Sequence, residues 1–309
     1  MLNAFNRLKI ILLVILVLSF FIFPKQSISL EKNKIPKKTN FRFIIYEKNH
    51  FRPSNFIKEY EIDNVKVKVL SISKNKNSFE TYFEIYSKRK RVFKSKNSYN
   101  IYNIFVFEYN ENKYLVITDF SGGTHCCFTS YLFLIDKNEN VKLVKRFGEG
   151  DNPNALEPIS FFIKNNKLYV SWLDPRFQYF ENLAFAYSTE AFFERFFLIE
   201  KEKVVEVSKD FKDDYIKKAL KYEKEIKDII ELATKRDKEK LKEEKYILWQ
   251  EWFSKLLAKT VNLIMAGEKE KAFREFDKNF EEFYSLFNIY YESQLKEKIK
   301  KEIFKKMNK

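Results

Sequence analysis

The spacing of apolar and polar positions changes once along this chain of 309 residues. Up to about residue 208 it consists of short β-branched and aromatic runs broken by polar turns: FRFIIYE, VKVKVLSI, FETYFEIYS, IYNIFVFEYNENKYLVITDF, FTSYLFLIDKNENVKLVKRF, ISFFIKNNKLYVSWLD and RFFLIEKEKVVEVS. In FVFEYNENKYLVI, YLFLIDKNENVKLV and FFIKNNKLYVSW, two alternating stretches flank a polar turn, the pattern of an antiparallel hairpin. Many short strands at even spacing predict an antiparallel body, either a sandwich or a set of propeller-like blades. After Lys209 the period lengthens. Ile216, Ala219, Leu220, Ile226, Ile229, Ile230 and Ala233 recur at three and four residues with charges between them, which is helical spacing. Leu241, Leu248, Trp252, Leu256, Val261 and Ile264 continue it, and a final helix is expected to start near Lys269. The fold class read from the pattern is α+β: a β-rich domain over 30–208 and an α-helical domain over 209–309.

The first 29 residues stand outside this pattern. Arg7 and Lys9 precede an unbroken apolar run from Ile10 to Phe23, Pro24 ends it, and Ser27 and Ser29 place small residues where a signal peptidase reads. The run is short for a bilayer span of about 20 residues. A signal peptide over 1–29, cleaved after Ser29, is the expectation, with a retained membrane anchor as the alternative. No cysteine lies at the cleavage point to carry a lipid. The mature chain is then expected in the periplasm or outside the cell, where thiols tend to pair.

Composition adds two points. With 45% hydrophobic and 18% aromatic residues, the chain has ample material for cores, and disorder is excluded. The formal charge is +15, of which residues 30–100 supply +11, from 18 Lys and Arg against 7 Asp and Glu. The basic character therefore belongs to one region, with Lys88, Arg89, Lys90 and Arg91 at its densest point. For an exported chain this excess points away from nucleic acid and toward anionic lipid head groups or an envelope polymer.

The stretch TDFSGGTHCCFTSYLFLID gathers both cysteines and one of the two histidines. Gly122 and Gly123 permit backbone angles closed to other residues, so the reactive side chains lie at a bend between two strands. If the second strand starts at His125, then His125, Cys127, Thr129 and Tyr131 share one face, while Cys126, Phe128, Ser130 and Leu132 share the other. Two readings of Asp119, Ser121, His125, Cys126 and Cys127 stand side by side. In the first they are structural, with Cys126 and Cys127 packed as thiols or joined in a strained vicinal ring. In the second they are chemical: Asp119, His125, Cys126 and Cys127 are ligand types for zinc or copper, and His125 with Cys127 is a nucleophile pair for a metal- or thiol-dependent enzyme. Other chemistry falls away. DFSGG lacks the first glycine of a serine-protease string, and only His50 remains as a second histidine for a triad. DKNEN starts like a calcium loop, but Val141 and Phe147 occupy the glycine and glutamate positions, so a hairpin turn is expected. No cofactor motif is present, and none is assigned.

Two resemblances accompany these residues. SGGTHCC, carried by Ser121, Gly122, Gly123, His125, Cys126 and Cys127, resembles an S-G-G-A-H-C-C motif of exported bacterial proteins with a β-rich body, Thr124 replacing the alanine. It implies export and β structure and no reaction. AGEKEKAFREFDKNF resembles one tetratricopeptide-type repeat. Gly267, Ala272 and Phe276 hold the turn, helix-packing and aromatic positions, Leu256 and Leu263 fit the preceding helix, and Thr260 and Asn279 depart from it. That resemblance implies contact with a protein partner through the helical region, and a plain helical hairpin explains the same residues. Taken together, the residues lead us to expect an exported cell-envelope protein acting as a non-catalytic binding or interaction module.

Overall fold

The computed structural model describes residues 42–48, 55–75, 78–120, 128–148, 159–235, 238–286 and 293–308. They belong to one compact unit. Thirteen strands come first: β1 Arg42–Lys48, β2 Phe56–Ile62, β3 Val65–Asn75, β4 Ser78–Ser87, β5 Lys90–Lys94, β6 Asn100–Tyr109, β7 Asn112–Phe120, β8 Phe128–Ile135, β9 Val141–Phe147, β10 Ser160–Lys164, β11 Lys167–Asp174, β12 Phe193–Glu200 and β13 Lys203–Glu206. Four long helices follow: α1 Lys212–Thr234, α2 Lys238–Met265, α3 Lys269–Leu286 and α4 Ser293–Met307. The period switch read near Lys209 matches the passage from β13 to α1.

The strands form three antiparallel sheets, ordered β2-β3-β4-β5, β1-β6-β7-β8-β9 and β10-β11-β12-β13. The chain leaves the middle sheet after β1, builds the first sheet and returns to pair β6 with β1. Buried side chains show how the sheets stack. Val67, Val69, Phe83 and Ile85 of the first sheet meet Ile104, Ile117, Tyr131 and Phe133 of the middle one. The opposite face of the middle sheet presents Phe105, Phe107, Val116 and Leu132 to Leu168, Val170, Trp172 and Phe197 of the third. Because β6, β7 and β8 are covered on both faces, their sequences are almost continuously apolar, whereas a one-sided strand such as β3 alternates.

The far face of the third sheet receives the helices. Phe196 stacks on Phe211 with centroids 3.9 Å apart, beside buried Tyr215 of α1. Trp252 and Phe253 of α2 pack with Phe276, Phe280 and Phe283 of α3 and with Phe177 and Phe180, which follow β11. The expected hairpin at Gly267 is present. Gly267 takes φ +81°, and Glu268 N–H donates to the Leu263 carbonyl at 2.9 Å, closing α2 with a left-handed cap. Ala272 is fully buried against Ala219 and Leu263, so α3 approaches closely there. Thr260 and Asn279 spend their polar groups locally, donating to carbonyls one turn back. Among the described residues no helix is long and apolar enough to cross a membrane.

Three differences from the sequence expectation have physical causes. β2 and β5 are edge strands, and the charges that protect an edge also mask its alternation. Leu220, placed on the apolar stripe of α1, is exposed. The single final helix expected from Lys269 is two helices, α3 and α4; no Gly or Pro between them marks the division.

Candidate functional site

The strand order places unlike connections at the two ends of the stack. Residues 63–64, 88–89, 110–111, 165–166 and 201–202 are two-residue links, and three of these links have positive φ at both residues, as tight hairpin turns require. They gather at one end: Lys113 pairs with Asp63, Tyr109 bonds the Asn166 carbonyl, and Tyr114 donates to the Lys201 carbonyl at 3.2 Å. DKNEN lies there too, as the turn expected. Asp136 accepts from the Asn138 and Asn140 backbone N–H groups at 2.8 Å each, and Asn140, side chain first, holds its carboxyl below the usual range. The strand ends Phe120, Phe128, Phe147 and Ser160, and the connection 175–192, lie at the opposite end.

At that second end the inter-sheet layers turn polar. β7 runs apolar through Leu115, Val116 and Ile117 and finishes at Thr118 and Asp119, opposite Ser130 and Thr129 of β8. Asp119 is 4% exposed and faces the first sheet. Its Oδ2 accepts from the Tyr131 hydroxyl at 3.0 Å, and that hydroxyl accepts from Arg146 Nη2 at 3.3 Å. The Arg146 guanidinium also lies 4.8 Å from the Tyr131 ring centroid. Burial pushes the Asp119 carboxyl up to about 6, against the pull of Tyr131, Arg146 and Thr129. Burial and then the Asp119 charge push the Tyr131 phenol up to about 12.

The other face of the same strands carries a second polar row. Asn103 sits opposite Thr118, and Thr118 Oγ1 lies 2.9 Å from Ser130 Oγ. Asn103 Oδ1, Asn100 Oδ1 and Trp172 Nε1 are buried and make no hydrogen bond among the described residues. Gly148 closes the row at φ +93°; a Cβ there would stand 2.5 Å from the Phe128 carbonyl oxygen.

Of the residues singled out from the sequence, Asp119 is at this site, while Ser121, His125, Cys126 and Cys127 lie outside the described residues. Their connection begins after Phe120 and ends before Phe128, which are cross-strand partners. Tyr131 and Ser130 fall on opposite faces of β8, as alternation required. Arg146 and Asn103 were not legible as site residues, because they reach Tyr131 and Thr118 through strand pairing. Chemically, the arrangement holds one proton on an enclosed carboxyl up to about pH 6 and fixes two faces of one strand end. Among the described residues no three His, Cys, Asp or Glu side chains gather to hold a metal ion.

The basic run lies at the other end. Lys88 and Arg89 form the β4–β5 turn, with φ +49° and +63°. Lys88 Nζ donates to Asn140 Oδ1 at 3.3 Å, and Arg91 Nη1 lies 2.7 Å from the buried Glu84 carboxylate. Although burial opposes it, hydrogen bonds from Tyr86 and Arg91 hold the Glu84 carboxyl below its ordinary value. Arg89 and Lys90 are exposed. Comparison of the chain with protein-family models, with curated proteins and with solved structures finds no match.

Proposed function

We propose that this chain is an exported, envelope-associated binding module that attaches to an anionic surface, lipid or polymer, and performs no chemistry of its own. The observation that carries the reading is the contrast between the two ends of the β stack. Asp119, the described member of the chemical cluster, is enclosed between two sheets and held by Tyr131 and Arg146. A general acid or base must instead reach a substrate. Exposed cations stand on the opposite turn, where each basic group near an anionic surface contributes about 1 kcal/mol. Their attraction acts over a Debye length of about 8 Å at physiological salt, so attachment should weaken as salt rises.

The test reverses Lys88, Arg89 and Lys90 to glutamate and spares Arg91, which is ion-paired with the buried Glu84 carboxylate. Binding to phosphatidylglycerol vesicles and to soluble polyphosphate should fall more than tenfold in low salt, a conservative figure for three reversed charges. Unchanged binding of both probes would show that the basic excess has no part in attachment.

A further inference from the structure

We propose that the outer face of the sheet β2-β3-β4-β5 is a docking surface for an anionic lipid bilayer, into which Ile57, Leu70, Ile72 and Tyr82 insert while the surrounding cations meet the head groups. The proposal rests on the anionic-surface reading above and assigns it a place and a lipid partner.

Alternation along the strands puts one face of this sheet against the middle sheet and the other outward. Tyr60, Val69 and Phe83 are buried, so Ile57, Leu70 and Tyr82 point away from the stack. Register makes these three a continuous strip, Ile57 opposite Leu70 and Leu70 opposite Tyr82. Ile72 extends it along β3. Ile57 is 64% exposed and Ile72 48%, and Val92 on the edge strand β5 is 46% exposed. Single exposed aliphatics are ordinary, but an aligned strip rimmed by charge marks an interaction surface.

The rim is basic. Among residues 55–75 and 78–96 there are ten Lys and Arg against five Asp and Glu. The acids are largely engaged: Glu59 with Lys66 at 2.9 Å and Lys68 at 3.5 Å, Glu84 with Arg91, Glu80 with Lys74 and Asp63 with Lys113. By alternation the outward face itself carries Lys66, Lys68, Lys74, Arg91 and Lys94 against Glu59, Glu61, Glu80 and Glu84, and the positive surplus sits at the β4–β5 turn with Lys88, Arg89 and Lys90. Lys94 Nζ lies 4.1 Å from the Tyr82 ring centroid, which places a cation on the strip itself. Long basic side chains around aliphatic and tyrosyl groups fit the boundary between head groups and acyl chains, where stems are buried and charges stay wet.

Two other occupants fit less well. A soluble polyanion needs the cations and leaves the aliphatic strip in water. A second copy of the sheet would bring the same basic rim against itself, a like-charge juxtaposition that opposes stacking.

The test uses the full mature chain and a double variant, Ile57→Ser with Ile72→Ser. Both changes are at exposed positions, and near-ultraviolet circular dichroism checks that the variant is folded. Wild type should sediment with phosphatidylglycerol-containing vesicles and not with pure phosphatidylcholine. The variant should bind the anionic vesicles about tenfold more weakly, from the lost transfer of two aliphatic side chains, and should bind soluble polyphosphate as wild type does. Equal vesicle binding by variant and wild type, with both still binding polyphosphate, overturns the lipid-docking face and leaves the anionic-surface reading standing. Concentration-dependent dimerisation that the double variant abolishes overturns it in favour of a second copy. Failure of wild type to bind either probe overturns both readings.

Discussion

Asp119→Asn is the substitution whose outcome the buried cluster dictates most directly. The carboxyl is enclosed by Tyr131, Thr129 and Arg146, and its pKa is raised from 3.8 to about 6, burial being the largest cause. In the unfolded chain Asp119 releases its proton near 3.8, while in the folded chain it keeps the proton until about pH 6. Between these values the native state binds the extra proton, so stability falls as pH rises, and the loss is complete above the folded pKa. A difference of about 2 units corresponds to about 3 kcal/mol at neutral pH. An amide resembles the protonated acid in shape, still accepts from Tyr131 and does not ionise. Arg146 loses a nearby counter-charge, which offsets part of the gain. At pH 7.5 the variant should therefore be more stable than wild type by about 1–2 kcal/mol, while at pH 3 the two should be nearly equal. The assay is urea unfolding followed by tryptophan fluorescence from pH 3 to 8, read as the difference between the two stability curves. That subtraction removes carboxylates common to both proteins. The expected difference curve is flat below pH 3.8 and rises to a plateau above pH 6. A variant less stable than wild type at pH 7.5 would refute the reasoning, because the Arg146–Tyr131 relay would then outweigh burial.

The last helix offers a second case. Arg176 Nη1 donates to the Lys306 carbonyl at 2.8 Å, Lys306 Nζ donates back to the Arg176 carbonyl at 2.8 Å, and Arg176 Nη2 lies 2.7 Å from the fully buried Asp174. Arg195 Nη1, 3.4 Å from Asp174, still partners that carboxylate, so Arg176→Met should cost about 1.5–3 kcal/mol, the value of a charged hydrogen bond, with hydrogen exchange accelerated first in α4; global destabilisation with α4 still protected would contradict the clamp. For the cysteines, Cys126→Ser with Cys127→Ser should lower the melting temperature and leave vesicle binding unchanged. Loss of a bound metal or of a measurable activity, with stability kept, would instead make His125 and Cys127 a chemical site.

The hairpins at residues 109–112, 135–141 and 164–167 were legible because each couples local alternation to a local polar turn, both contiguous in the chain. The helical period after Lys209 and the turn at Gly267 are equally local, since an i to i+4 contact needs no knowledge of the rest of the molecule. Sheet stacking was not. The same alternation in β6 and β7 serves a sandwich, a blade or a covered middle layer, and only the packing of Phe83 and Val170 against its two faces decides among them. The burial of Asp119 likewise depends on the first sheet, joined to the middle one through β1 and β6, lying over the end of β7. Its raised pKa follows from that enclosure, and Arg146 becomes its neighbour only through the pairing of β8 with β9. Local chain geometry is encoded within a few residues of itself, whereas the environment of a side chain is set by segments distant in sequence, which is why the elements were read from the chain and the electrostatics of the site only from the assembled stack.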